Sequence, residues 1–235
     1  MNKLIVVTGG TKGIGRAIIE KFSSQGFDIA TCSRNQHDLD LLKVALQKLN
    51  PTTSAFVQRT DMSLKEEVKL FCEFVNRLNR PVDVLVNNAG YFLPGEIVTE
   101  AEGTLESMVN ANVYSAYYTT RGLVPQMKNQ KAGHIFNMCS VASFMAYPNG
   151  GSYAISKFAL LGFSKCLREE LKKFGIRVTA VMPGATRTAS WDGVDIPEER
   201  FIKVEDVAET VFAAYALSVR SVVEEIIIRP QLGDI

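Results

Sequence analysis

The stretch LIVVTGGTKGIG, residues 4–15, opens with four apolar residues and closes in a glycine-rich turn. Four apolar residues after Lys3 are too few for the core of a secretion signal, and they read as a buried strand. Glycines at 9, 13 and 15 allow a tight turn and close backbone approach, and a helix predicted from Ile14 points its free N–H groups at whatever fills that turn. The phosphate loop GxxxxGK[ST] is a different pattern, which Gly10-Thr11-Lys12-Gly13 does not supply. A strand, a glycine turn and a helix in this order predict a seat for the pyrophosphate of a dinucleotide.

The alternation begun there continues to the C-terminus. Strands are predicted at Leu4–Thr8, Asp28–Ser33, Ser54–Gln58, Val82–Asn87, Gly133–Cys139, Ile176–Met182 and Glu224–Arg229. Helical patterns lie between them, near Ile14–Ser24, Leu39–Leu49, Leu64–Leu78, Thr104–Lys128, Ser152–Phe174 and Val204–Leu217. Seven strands separated by helices predict an α/β fold: a Rossmann-type, doubly wound, parallel seven-stranded sheet with helices on both faces. Gly26 and Gly175 read as helix stops, and Pro125 is expected to kink or shorten the fifth helical region. No Pro/Gly/Ser-rich linker divides the chain, which predicts one domain over residues 1–235.

Composition narrows the function classes. The 235 residues are 46% hydrophobic and 22% charged, with a net charge of +1, so neither a nucleic-acid partner nor a membrane span is expected. Cys32, Cys72, Cys139 and Cys166 have no CxxC spacing and read as buried free thiols, and His37 and His134 stand far apart. The expectation is a cytoplasmic protein with no metal site.

The end of the second strand should contact the ribose. A carboxylate there would accept from a 2′-hydroxyl, but the chain has Ser33-Arg34. Arg34 can pair a 2′-phosphate and Lys12 adds a second cation on that side, which favours NADP(H) over NAD(H).

Tyr153 and Lys157, in SYAISK, are four residues apart and share one helix face. A phenol ionises near pH 10 when unperturbed, and a fixed cation beside it is expected to lower that value and make it a general acid–base group.

These residues, with others in the same order along nearly the whole chain, resemble the short-chain dehydrogenase/reductase family. TGGTKGIG resembles its cofactor turn, which implies contacts from Gly9, Thr11, Lys12, Gly13, Ile14 and Gly15. Asp61 and Met62 match its position beside the adenine ring, and Asn88, Ala89 and Gly90 belong to its NNAG motif. Pro183, Gly184, Thr186 and Thr188 resemble its segment near the nicotinamide carboxamide. The resemblance implies that Tyr153 donates a proton to a carbonyl as hydride arrives, that Lys157 tunes it and bonds the ribose, and that Ser140 holds the substrate oxygen. It further implies that Asn112, rather than Asn110, anchors a proton-relaying water.

The segment 185–203 is shorter than the lid common in that family and carries Trp191, which could stack on a flat ring or simply pack the lid down. With the C-terminal run VVEEIIIRPQLGDI, it is similar to bacterial sepiapterin-reductase-type members, which implies reduction of a pterin side-chain carbonyl. Ser140, Ala142, Tyr147, Tyr153 and Trp191 are the expected substrate pocket, with Val141, Ser143, Asn149, Tyr91 and Phe92 as further walls. The alternatives are reduction of a 3-oxoacyl thioester or a generic ketone, and a non-catalytic NADP(H)-sensing protein. Surplus apolar residues on two long helices (Tyr114, Tyr117, Tyr118, Phe158 and Phe163) predict a homodimer or homotetramer.

Overall fold

The computed structural model describes residues 1–235 except 189, 190, 192 and 194. Its strands are β1 (Leu4–Thr8), β2 (Asp28–Ser33), β3 (Ala55–Arg59), β4 (Val84–Asn87), β5 (Gly133–Met138), β6 (Ile176–Pro183) and β7 (Glu225–Ile228). Its helices are α1 (Gly13–Ser24), α2 (Gln36–Leu49), α3 (Lys65–Arg77), α4 (Thr104–Val109), α5 (Ser115–Gln130), α6 (Gly151–Leu171) and α7 (Val204–Ala216). The strands form one parallel sheet in the order β3-β2-β1-β4-β5-β6-β7.

Side-chain alternation along β1 explains why both faces are covered. Ile5 and Val7 point into a core built with α1 (Ile18, Ile19, Phe22), α2 (Leu42, Leu46) and α7 (Val207, Val211). Leu4 and Val6 point the other way, into a core built with α3 (Phe71, Val75), α5 (Leu123, Met127) and α6 (Leu167, Leu171). A parallel strand buried on both faces has to read as an unbroken apolar run, as residues 4–7 do.

Strand order reverses between β1 and β4, and the carboxyl ends of those strands open a crevice there. The parallel direction of the strands brings Thr8, Asn87, Met138 and Pro183, the last residues of β1, β4, β5 and β6, to one edge of the sheet.

Three predicted details change. Pro125 does not end its helix, since α5 runs on to Gln130; an irregularity lies earlier, in a π-helical turn at Asn110–Tyr114 that joins α4 to α5. Such turns add a residue to the ladder and are common at functional sites. The helix predicted from Leu39 starts at Gln36, because Asn35 accepts the N–H groups of His37 and Asp38 and caps it. Cys166 is exposed, unlike the other three cysteines. Among the described residues no helix is long and apolar enough to cross a membrane, and no three His, Cys, Asp or Glu side chains cluster as metal ligands.

Candidate active site

A cleft of about 1390 Å³ runs along the carboxyl edge of the sheet, from the end of β2 to the C-terminal residues. At its centre the β1–α1 turn is stitched to the residues after β4. Asn88 Nδ2 donates to the carbonyls of Thr8 and Gly9, both at 3.0 Å, while Thr8 Oγ1 accepts from the N–H groups of Asn88 and Ala89, both at 3.0 Å. A Cβ on Gly15 would stand 2.4 Å from Asn88 Nδ2 and 2.5 Å from the Gly9 carbonyl, so this approach requires glycine. The first turn of α1 carries no acidic residue, which leaves its N–H groups and positive dipole end open to an anion. Gly9, Thr11, Gly13, Ile14, Asn88, Ala89 and Gly90, the expected cofactor contacts, all line the cleft.

At one end the cleft is walled by Ser33, Arg34, Asp61 and Met62. Burial would raise the Asp61 carboxyl, but the Ser63 hydrogen bonds and the charges of Arg34 and Arg59 outweigh it and hold the group below its usual range. Among the described residues Arg34 has no ion-pair partner. Lys12, expected as a second cation here, instead forms a 3.1 Å ion pair with Asp38 of α2, with 72% of its side chain exposed. Arg34 is therefore the cation of this end with a free charge to offer.

At mid-cleft, β5 delivers Ser140 and α6 delivers Tyr153 and Lys157. One 3₁₀ turn, Val141–Ser143, orients the serine: Ser140 Oγ accepts the Ala142 N–H at 3.1 Å, and Ser143 Oγ accepts the Ser140 N–H at 3.1 Å. Lys157 Nζ donates to the Met138 carbonyl at 2.8 Å and lies 5.6 Å from the centroid of the Tyr153 ring. Phe92 meets that ring edge-on at 4.8 Å. Burial pushes the Lys157 ammonium down to about 8, a cost of about 3 kcal/mol for keeping the charge. The expectation that Tyr153 is lowered is overturned. Burial pushes its phenol up, the Ser140 hydrogen bond offsets only part of this, and buried Cys139 adds to the rise.

Asn112 lies behind the cleft, in the π turn. Its Nδ2 donates to the Tyr91 carbonyl (3.1 Å) and Ser156 Oγ (2.9 Å), and its Oδ1 accepts the Tyr91 N–H at 2.9 Å. Both amide protons are thus committed, which leaves the second lone pair of Oδ1 as the side chain's remaining place for a relay water. Asn110, set aside in the sequence, is the asparagine on the cleft wall.

The far end is walled by Tyr91, Phe92, Val141, Met145, Tyr147 and Trp191. Ala142 and Ser143, predicted walls, are fully buried beneath the cleft, because the 3₁₀ turn rotates them into the core. Asn149 is likewise off the lining; it sits in the left-handed region (φ 60°) and its carbonyl accepts from Gly95 N–H. Pro183, Gly184, Thr186 and Thr188 line the floor, and Trp191 both faces the cleft and packs edge-on against Phe201 at 5.1 Å. Of the expected lid at 185–203, residues 189, 190, 192 and 194 lie outside the described residues. The sequence did not reveal Asp234 and Ile235 in this wall. No local pattern marks them; they arrive only because β7 turns the C-terminus back over the sheet edge.

A phosphate-seating turn at the sheet's switch point, opening onto a buried serine and lysine and a half-buried tyrosine, belongs to the class of nucleotide-dependent oxidoreductases. The family model for short chain dehydrogenases matches residues 3–198. A sepiapterin reductase from Chlorobaculum tepidum is 32% identical over 241 residues, covering 100% of this chain and 99% of that one. Among solved structures, an alcohol dehydrogenase from the archaeon Thermococcus sibiricus, complexed with 5-hydroxy-NADP, superposes with TM-score 0.91 at 25% identity, covering 98% and 97% of the two chains. L-sorbose reductase from Gluconobacter frateurii, complexed with NADPH and L-sorbose, gives TM-score 0.88 at 28% identity and 97% and 95% coverage. This chain belongs to the short chain dehydrogenase family and is an oxidoreductase.

Proposed function

We propose that this enzyme uses NADPH to reduce a small carbonyl compound to an alcohol, with a pterin side-chain carbonyl as the foremost substrate class. The observation that carries this reading is the buried corner in which Ser140, Tyr153 and Lys157 face one cleft with an aromatic far wall. NADPH fits the other end, where the glycine turn admits backbone only and Arg34 offers its charge to a 2′-phosphate. When bound, it supplies the hydride. The Ser140 hydroxyl, held through its lone pair by Ala142 N–H, keeps its proton for the substrate oxygen.

A phenol raised by burial stays protonated at neutral pH and donates to the developing alkoxide, which is a far stronger base. Lys157, charged below about pH 8, then stabilises the phenolate that remains. The raised phenol therefore suits reduction better than the reverse reaction. Asn112 serves as a brace between Tyr91 and Ser156.

The far wall favours a neutral, flat substrate. Tyr147 and Trp191 supply ring faces, and the only charge on the lining at that end, among the described residues, is Asp234, which is ion-paired with Arg229. A 3-oxoacyl thioester would need a cationic mouth for its phosphorylated arm, and among the described residues the lining at this end carries no lysine or arginine. Two of the relatives are named as reductases, of sepiapterin and of L-sorbose, which supports this direction.

One sheet shared by both cores supports a single domain over 1–235, and four cysteines without a disulfide suit the reducing cytoplasm. Tyr114, Ile155 and Phe158 are 46%, 42% and 46% exposed on α6 and the π turn, and we read this apolar surface as the seam of a homo-oligomer. Tyr118 and Phe163, also expected there, pack partly into the core instead.

The deciding experiment is NADPH oxidation with sepiapterin, wild type beside Tyr153→Phe. Turnover abolished in the variant supports both mechanism and substrate class. Full turnover in the variant overturns the mechanism, and no turnover in either returns the substrate to a panel of ketones and diketones.

A further inference from the structure

The 21-residue helix α6 carries Tyr153 in its first turn, yet it has no N-terminal cap of its own. Gly150 holds the cap position without a side-chain hydrogen bond, and no acidic residue lies in the first turn. A free helix N-terminus leaves N–H groups unsatisfied and its dipole uncompensated, so it frays. Here the missing carboxylate comes from elsewhere in the chain. Glu100, in the loop between β4 and α4, accepts the Ser152 N–H through Oε1 at 2.9 Å and the Ser152 hydroxyl through Oε2.

The surrounding backbone is shaped around that carboxylate. Gly151 adopts φ +37°, and a Cβ there would lie 2.0 Å from Glu100 Oε1 and 2.4 Å from the Gly95 carbonyl. A Cβ on Gly95 would stand 2.7 Å from Glu100 Cγ. Gly95 N–H also donates to the Asn149 carbonyl at 3.0 Å, just ahead of the helix. The same loop supplies Phe92, edge-on to the Tyr153 ring at 4.8 Å. Its start is held through Tyr91 by Asn112, which reaches Ser156 of α6 at 2.9 Å. The loop thus grips α6 at Ser152 and at Ser156, on either side of Tyr153.

We propose that Glu100 is a positioning residue for Tyr153: its carboxylate caps α6 from outside and fixes the first turn, and so the phenol, against Ser140 and Phe92. This rests on the reading of Tyr153 as proton donor. The cofactor end of the cleft makes none of these contacts, so loss of Glu100 acts on the chemical step and spares cofactor binding.

The test compares wild type, Glu100→Ala, Glu100→Gln, Ser152→Ala and Tyr153→Phe. Two readouts are taken: NADPH oxidation with sepiapterin and with 2,3-butanedione, and amide hydrogen exchange with NADPH binding. For Glu100→Ala we expect kcat to fall about tenfold or more, since small misplacement of a reacting group is costly, with the NADPH Kd within about twofold of wild type. Glu100→Gln should recover most of kcat, because its amide oxygen still accepts the Ser152 N–H and its amide nitrogen can donate to the hydroxyl. Ser152→Ala keeps the backbone bond and should lose about threefold. Exchange at the start of α6 should rise about tenfold in Glu100→Ala and stay unchanged in β1 and α1.

The assignment is overturned by wild-type kcat in Glu100→Ala, by kcat and NADPH affinity falling together, by no recovery in Glu100→Gln, or by unchanged exchange at α6. Exchange and NADPH binding need no substrate, so they decide the matter even if neither carbonyl is turned over. Should Glu100→Ala fail to fold, Glu100→Gln and Ser152→Ala carry the same comparison. Full turnover in Tyr153→Phe would instead sink the underlying mechanism. An inactive Tyr153→Phe beside a fully active Glu100→Ala would sink the Glu100 assignment alone.

Discussion

Lys157 Nζ donates to the Met138 carbonyl at 2.8 Å while standing 5.6 Å from the Tyr153 ring centroid, and among the described residues no carboxylate pairs with it. A lone ammonium in that setting is held by a carbonyl dipole against the pull of desolvation. The balance falls near neutral pH, since burial brings the group down to about 8.

Reduction should therefore fail in alkali. Below about pH 8 the lysine is charged and stabilises the phenolate left by proton transfer; above it that charge is lost. We expect kcat/KM for carbonyl reduction to be level below about pH 8 and to fall above it, measured across pH 6–10. Lys157→Met should lose about 100-fold or more in kcat and show no limb near pH 8. The sign for stability runs the other way. Between about 8 and the model-compound value of 10.5 the unfolded chain binds more protons than the folded one, so stability rises with pH through that window.

Cofactor choice should hang on one side chain. Lys12 is engaged with Asp38, so Arg34 is left to bind a 2′-phosphate. A charge-assisted hydrogen bond contributes about 1.5–3 kcal/mol, so Arg34→Ala should weaken NADPH about ten- to hundredfold and leave NADH nearly unchanged. Lys12→Ala should do much less. Titration of both nucleotides by fluorescence checks this, and equal losses for NADPH and NADH would refute it.

Acid should destabilise the fold at His134, far from the cleft. Thr179 Oγ1 donates to the Val223 carbonyl at 2.6 Å, so the ring must donate from Nε2 to that oxygen at 2.7 Å, leaving Nδ1 unprotonated and unpartnered. Burial, aided by the Arg177 charge, pushes the imidazole down to about 2. The unfolded chain takes up this proton below about pH 6.5 and the folded one does not, so stability falls with decreasing pH by on the order of 1 kcal/mol per unit. Urea melts at pH 7.5 and 5.5 should show that loss in wild type and a smaller one in His134→Gln.

The apolar surface of α6 should close against a second copy. Light scattering at micromolar concentration is expected to give a dimer or tetramer, and Phe158→Glu, at a 46% exposed position, should dissociate it. A monomeric wild type would remove this assembly.

The cofactor end was legible from residues because its chemistry is local. A turn that must admit phosphate shows as glycines at 9, 13 and 15, and a strand buried on both faces needs an apolar run at 4–7, and both patterns fall on residues close in sequence. The substrate end was legible only in part. Tyr147 and Trp191 face the cleft as expected, but one 3₁₀ turn, a matter of three residues, sends Ala142 inward. Asn112 could be located but not its partners, since Tyr91 and Ser156 are 21 and 44 residues away along the chain.

Sequence alone determined the order of strands and helices, because that follows from periodicity, and it pointed to Ser140, Tyr153 and Lys157 through motifs that resemble the family's. Tertiary structure decided how those residues behave. Whether the phenol rises or falls depends on how much water β5, α6 and the β4–α4 loop exclude together, and burial outweighed the Ser140 hydrogen bond. Which cation is free depended on Asp38 reaching Lys12, and what caps α6 depended on Glu100 arriving from another loop. Desolvation and long-range pairing are sums over neighbours that only the folded chain assembles.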